Sequence, residues 1–181
     1  KTLHKQGFKV VIIGDRKHPE IRALMDLAHQ AYVIAKIQEV PQDKFSHQKI
    51  GIISQTTQSR DVFLEIVNCI LRKNPLVKEV CVFNTICLDT VARQEEVKKL
   101  AKDVDTLLVI GSRASANTKR LLSIGSKINR RTYLVENKDT PLSNIVKNAK
   151  TIGVISGASA PDWLAKEIVK TIRNLKTNNK R

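Results

Sequence analysis

The chain has 181 residues, 41% of them hydrophobic, and a formal net charge of +15. That length suits one ordinary domain or two small ones, and the apolar fraction excludes a chain disordered throughout. No apolar stretch is long enough to span a bilayer and no segment reads as a signal peptide, so a soluble, cytoplasmic protein is expected. The chain opens on Lys1 rather than Met, and its first residues read as the end of a helix, which points to a cut within a longer chain. Strands are then expected at 8–14, 31–35, 49–54 and 80–83, and a second series at 106–111, 132–135 and 151–156. Helices fill the intervals, among them 90–102 and 161–175. Ser59 or Thr57 is the expected cap of the helix that runs through Leu71, and Asn74-Pro75 stops it.

One cassette recurs along this order: a Val/Ile-rich run, a loop of small polar residues, then an amphipathic helix. Its copies read KVVIIGDRKHPEIRALMDLA from Lys9, KIGIISQTTQSRDVFLEIVNCI from Lys49, DTLLVIGSRASANTKRLLSIG from Asp105 and TIGVISGASAPDWLAKEIV from Thr151. This is the unit of a parallel sheet with crossover helices. The expected fold class is therefore α/β: two similar small domains, each a short, mostly parallel sheet flanked by helices. Residues 1–84 form one, 85–175 the other, and 176–181 a basic tail. Ligands of such sheets collect where strands end and helices begin, and unpaired helix N–H groups there suit phosphate.

The positive charge attracts polyanions. Aromatic residues are only 4% of the chain, too few for extensive base stacking, so nucleic acid is not the expected partner. The three cysteines, Cys69, Cys81 and Cys87, form no C-x-x-C pair, which disfavours a zinc ribbon, and their odd number disfavours a disulfide framework. Cys69 and Cys81 read as small core residues. Cys87 follows an apolar strand and precedes a helix start near Thr90, a setting that favours a thiolate able to bind metal, although an inert cysteine accounts for the residue as well.

The loops hold the remaining chemistry. His18 can donate to an anion and Glu20 can act as an acid, with Pro19 restricting the loop between them. Gln55-Thr56-Thr57 offers hydroxyls for capping or proton relay. Ser115 and Asn117 place a hydroxyl and an amide beside backbone N–H groups, and Gly157-Ala158-Ser159-Ala160-Pro161 is a loop of the same kind. Helix capping alone also accounts for each of these loops, and the residues leave both readings open.

Taken in order, His18-Pro19-Glu20, Gln55-Thr56-Thr57, Thr85-Ile86-Cys87 with Arg93-Gln94, Ser115-Ala116-Asn117-Thr118 and Gly157-Ala158-Ser159-Ala160-Pro161 resemble the LytB family, from about Gly7 to about Ile172. The resemblance implies an iron–sulfur reductase that removes the hydroxyl of (E)-4-hydroxy-3-methylbut-2-enyl diphosphate, giving isopentenyl and dimethylallyl diphosphate in the methylerythritol phosphate route to isoprenoids. It implies Glu20 as proton donor with Thr56 in the relay. It implies His18, Thr56, Ser115, Asn117 and Ser159 as substrate-binding residues, and Cys87 as a ligand of a 4Fe-4S cluster. Thr57 and Thr90 would be near neighbours of that site. A ferredoxin or flavodoxin would give electrons, in a bacterial cytoplasm or a plastid. The family's first domain, with two further cluster cysteines, would precede Lys1. Ala23, Asp26 and Ala116 depart from the family's usual residues. On this reading the chain is two thirds of a three-domain trefoil and inactive alone. The alternative is a redox-inactive basic α/β module that binds RNA or acidic proteins.

Overall fold

The structure is a computed structural model that describes residues 2–28, 30–158 and 160–178. It divides into two compact units, residues 1–87 and 88–181.

The first unit runs α1 (Thr2–Lys5), β1 (Phe8–Ile13), α2 (Pro19–Leu27), β2 (Tyr32–Ile34), a 3-10 turn (Ile37–Glu39), β3 (Lys49–Ser54), α3 (Arg60–Lys73) and β4 (Glu79–Val82). Its sheet has the order β2-β1-β3-β4, and every pairing is parallel. A parallel sheet is covered on both faces, which explains why the central strands read as continuous apolar runs rather than alternating ones. Val11, Ile12, Ile13, Ile50 and Ile52 are all fully buried. Ile21 and Leu24 of α2 pack with Ile12 and Val33, and Phe63, Ile66 and Ile70 form the buried stripe of α3. Ser59 caps α3, accepting from the Val62 N–H. Asn74 ends it. The Asn74 side chain accepts from the Phe45 N–H and donates to the carbonyls of Pro41 and Ile70, so the long loop before β3 is tied to the end of α3.

The second unit runs α4 (Leu88–Asp103), β5 (Thr106–Ile110), α5 (Ala116–Ile128), β6 (Thr132–Val135), α6 (Leu142–Val146), β7 (Ile152–Ser156) and α7 (Asp162–Asn178). Its sheet is β6-β5-β7, again parallel throughout. Leu108, Ile110 and Val135 meet Leu142, Val146, Leu164, Ile168 and Ile172 on one face. Leu107, Val109 and Ile155 meet Val97, Ala101 and Leu121 on the other. The middle strand β5 is buried along its whole length.

The two sheets repeat the same hydrogen-bond register. The Gly14 N–H donates to Ile34 O at 3.0 Å, and the Gly111 N–H donates to Val135 O at 3.1 Å. The Gln55 N–H donates to Ile13 O at 2.9 Å, and the Gly157 N–H donates to Ile110 O at 2.8 Å. Ile13 therefore corresponds to Ile110, and Ser54 to Ser156. The units differ at one edge: the first has β4 beside β3, whereas no strand among the described residues lies beside β7.

Three local findings differ from the sequence expectations. The first unit extends through Cys87 rather than ending at 84, because Thr85 and Cys87 are hydrogen-bonded to Ser54 and Thr56. Helix α7 continues to Asn178, so Lys176 is helical rather than part of a tail, and its ammonium group donates to the carbonyls of Val146 and Ala149. Cys69 is buried, but Cys81 is only half-buried, because β4 is the edge strand of its sheet.

Candidate functional site

In the first unit, the loops after β1 and β3 and the segment after β4 meet at the C-terminal edge of the sheet. His18 is the N-cap of α2, and Pro19 occupies the first helical turn, where its missing N–H costs nothing. Glu20 follows in that first turn. Its Oε1 accepts from the Thr56 N–H at 2.8 Å, and its Oε2 accepts from Thr56 Oγ1 at 2.9 Å. Thr56 thus grips both oxygens of one carboxyl group across two loops. On its other side the Thr56 carbonyl accepts from the Cys87 N–H at 3.0 Å. Glu20, Thr56 and Cys87 are therefore consecutive members of one hydrogen-bonded chain.

His18 Nδ1 accepts from the Glu20 N–H at 3.3 Å and lies 4.0 Å from Glu20 Oε2. The cap bond requires a lone pair on Nδ1, which leaves the ring proton on Nε2 free to donate to an anion.

Residues beneath these groups fix their positions. The buried Gln55 side chain accepts from the Asp15 N–H at 3.0 Å and donates to Thr57 Oγ1 at 2.8 Å, joining the loop after β1 to the loop after β3. Thr85 Oγ1 accepts from the Ser54 N–H at 2.8 Å and donates to Ser54 O at 2.6 Å, which pins the segment that carries Cys87. Cys87 itself is exposed and immediately precedes α4. These bridging roles were not legible in the sequence, where Gln55 is one polar loop residue among several. The signal is its burial.

In the second unit, Ser115 caps α5 and accepts from the Thr118 N–H at 3.4 Å. Asn117, in the first turn, is only 6% exposed, yet neither its amide oxygen nor its amide nitrogen has a hydrogen-bond partner among the described residues. The fully buried Thr118 hydroxyl also has no partner among the described residues. An unsatisfied buried polar group costs about 1–3 kcal/mol, so the orphaned amide marks a place for a polar ligand. The Thr118 side chain fills the space where a Cβ would stand on Gly111 or Gly157, and Gly111 has φ +149°, so both positions call for glycine. Thr90 is buried in α4. Arg93 bonds Asp89 and donates to Ser156 O at 2.9 Å. Ser159 lies outside the described residues.

The site residues thus fall into two sets: His18, Glu20, Thr56 and Cys87 in one unit, Ser115 and Asn117 in the other. The first holds a carboxyl group and a hydroxyl in one network, which the Cys87 backbone N–H joins through the Thr56 carbonyl. The second offers a helix N-terminus with an unpaired amide, which suits an anion.

The family described as LytB protein matches residues 1–173. A 4-hydroxy-3-methylbut-2-enyl diphosphate reductase of Campylobacter jejuni is 37% identical over 179 residues, covering 98% of this chain and 63% of that protein. The reductase of the same name from Aquifex aeolicus is 34% identical over 177 residues, 96% of this chain and 60% of its own length. The solved structure of the E-1-hydroxy-2-methyl-but-2-enyl-4-diphosphate reductase from Plasmodium falciparum matches with a TM-score of 0.84 at 25% identity, over 94% of this chain and 54% of that one. The chain therefore spans less than two thirds of the length of these relatives.

Proposed function

This chain belongs to the LytB family, and from that premise we propose that it forms part of a reductase of (E)-4-hydroxy-3-methylbut-2-enyl diphosphate, with Glu20 as the proton donor to the departing hydroxyl. The observation that carries this reading is the grip of Thr56 on both oxygens of Glu20, with Cys87 bonded to the same residue. Replacing a C–OH group by C–H consumes two electrons and two protons and releases water (simple chemical balance). The hydroxyl leaves readily only if it takes up a proton as it departs, which is the work of a positioned carboxylic acid. Thr56 Oγ1 both accepts and donates, so it can orient Glu20 and pass its proton to the oxygen. His18 Nε2, Ser115 and Asn117 would hold the diphosphate, and Ser159 would join them. The buried Asn117 amide, without a partner among the described residues, supports a place for it there.

The family resemblance implies a 4Fe-4S cluster, which would supply the electrons. The chemistry of Cys87 fits one ligand: it is a free cysteine whose thiol is exposed. Among the described residues no group of three or more His, Cys, Asp and Glu side chains could hold a metal ion. Cys69 is buried in α3 and Cys81 lies in β4. We assign neither to the cluster, whose further two cysteines would come from elsewhere in the protein. A ferredoxin or flavodoxin would deliver the electrons. No helix among the described residues is long and apolar enough to cross a membrane.

The test uses the full-length gene product, reconstituted anaerobically and assayed with the diphosphate substrate. Glu20→Gln keeps the size and an acceptor for Thr56 but removes the acid. It should lower kcat by about 10²–10⁴-fold, the usual contribution of general acid catalysis. Cys87→Ala should abolish the cluster absorbance together with turnover. Turnover at the unmodified rate in either variant would remove that residue from the proposed role.

A further inference from the structure

In each unit the peptide group that leads into the loop after the last-paired strand is held from two sides. In the first unit this is the group between Ser54 and Gln55, just ahead of Thr56. The Gln55 N–H donates to Ile13 O at 2.9 Å, and the Thr85 hydroxyl donates to Ser54 O at 2.6 Å. In the second unit the corresponding group lies between Ser156 and Gly157, just ahead of the loop 157–161. The Gly157 N–H donates to Ile110 O at 2.8 Å, and Arg93 Nη1 donates to Ser156 O at 2.9 Å. The C=O and N–H of a trans peptide point in opposite directions. A bond at each end therefore fixes the peptide plane, and with it the direction in which the chain leaves the strand. Arg93 does for the loop after β7 what Thr85 does for the loop that carries Thr56.

The surroundings of Arg93 suit that task. Its side chain is 29% exposed, and its Nε donates to Asp89 Oδ2 at 3.0 Å, one turn earlier in α4. The carboxylate orients the planar guanidinium and leaves Nη1 for the carbonyl. A charged donor makes this bond stronger than a neutral one would. Thr118 stands against the same peptide group, since its hydroxyl would lie 2.5 Å from a Cβ on Gly157. The turn that follows is short: the Ala160 N–H donates to Gly157 O at 2.9 Å, and the Leu164 N–H donates to Pro161 O at 3.0 Å. A tilt of the Ser156–Gly157 group is therefore passed on to the loop.

We propose that Arg93 is a positioning residue for the diphosphate: through Ser156 O it sets the loop 157–161, from which Ser159 would hold the anion. This inference rests on the reductase reading of the site. Arg93 itself touches no reacting atom. Its loss weakens the grip on substrate and transition state alike, which raises KM and spares kcat.

The test uses the full-length gene product, reconstituted anaerobically, with inorganic pyrophosphate as a binding probe beside the diphosphate substrate. Arg93→Ala should raise both KM and the pyrophosphate Kd at least about ten-fold, as loss of a charge-assisted anchor does. Its kcat should stay within about three-fold and its cluster absorbance should not change. Arg93→Lys, which keeps a charged donor without the fork, should fall between. Millimolar methylguanidinium should lower the KM of Arg93→Ala and leave that of the unsubstituted enzyme as it was. In the substrate-free variant the Gly157 and Ala160 amides should exchange faster, with those of Leu108 and Val109 in β5 unchanged. An unaltered KM and Kd in Arg93→Ala would overturn the proposal. So would faster exchange throughout β5, or a loss of kcat and cluster absorbance without a change in Kd, since Arg93 would then serve the fold or the cluster. An unsubstituted protein that binds its cluster but never turns over defeats the reductase reading instead, and the pyrophosphate Kd and the exchange pattern still decide the role of Arg93. Should Arg93→Ala fail to fold, Arg93→Lys carries the same measurements.

Discussion

Gln55 shows how much of the candidate site depends on a residue that does no chemistry itself. Its amide spans from the Asp15 N–H to the Thr57 hydroxyl and so fixes the spacing of the loops that carry Glu20 and Thr56. Gln55→Ala would leave the Asp15 N–H without its acceptor and open a void. A loss of about 1–3 kcal/mol in denaturant unfolding is expected. Gln55→Glu, which can accept from both partners because the Thr57 hydroxyl can turn to donate, should lose less. The carboxyl–hydroxyl pair was partly legible beforehand: His18-Pro19-Glu20 and Gln55-Thr56-Thr57 stand out as motifs in the chain. Their contact was not, since Glu20 and Thr56 are 36 residues apart and meet only because β1 and β3 pair directly.

At the scale of elements, strand identity followed from the Val/Ile runs, and cap residues marked helix starts at Ser59 and Ser115. Strand order was not encoded locally. The central place of β1 and β5 arises because each is buried on both faces and paired on both edges. The start of β7 has its own clamp. The Asp105 carboxylate accepts from the N–H groups of Thr151 and Lys150 and interacts with the Thr151 hydroxyl. The backbone N–H of Thr151, then that of Lys150, holds the Asp105 pKa below its ordinary value. A carboxyl group whose folded pKa is lowered contributes stability above the unfolded value, about 3.9, and loses it as pH falls through the folded value. Asp105→Asn should therefore show a flatter decline of the denaturant midpoint below about pH 4 than the unsubstituted chain does. Equal slopes would mean that the clamp contributes nothing to acid stability.

For the whole molecule, the net charge of +15 is a property that no single contact explains. Under the proposed function it suits an acidic electron donor, because opposite charge accelerates encounter and salt screens it. Reduction of the full-length protein by an acidic ferredoxin should slow several-fold between about 0.05 and 0.5 M salt, measured by stopped flow at low donor concentration. A rate indifferent to salt would remove the charge from that role. The sequence by itself determined the α/β class, the repeated strand–loop–helix unit and the family, because apolar periodicity and ordered short motifs are local properties of the chain. Only the tertiary structure decided that Glu20, Thr56 and Cys87 are linked, that Asn117 is buried with no amide partner among the described residues, and that no described strand lies on the outer side of β7. These depend on which strands pair and which polar atoms lose water, and pairing and desolvation are settled between distant segments.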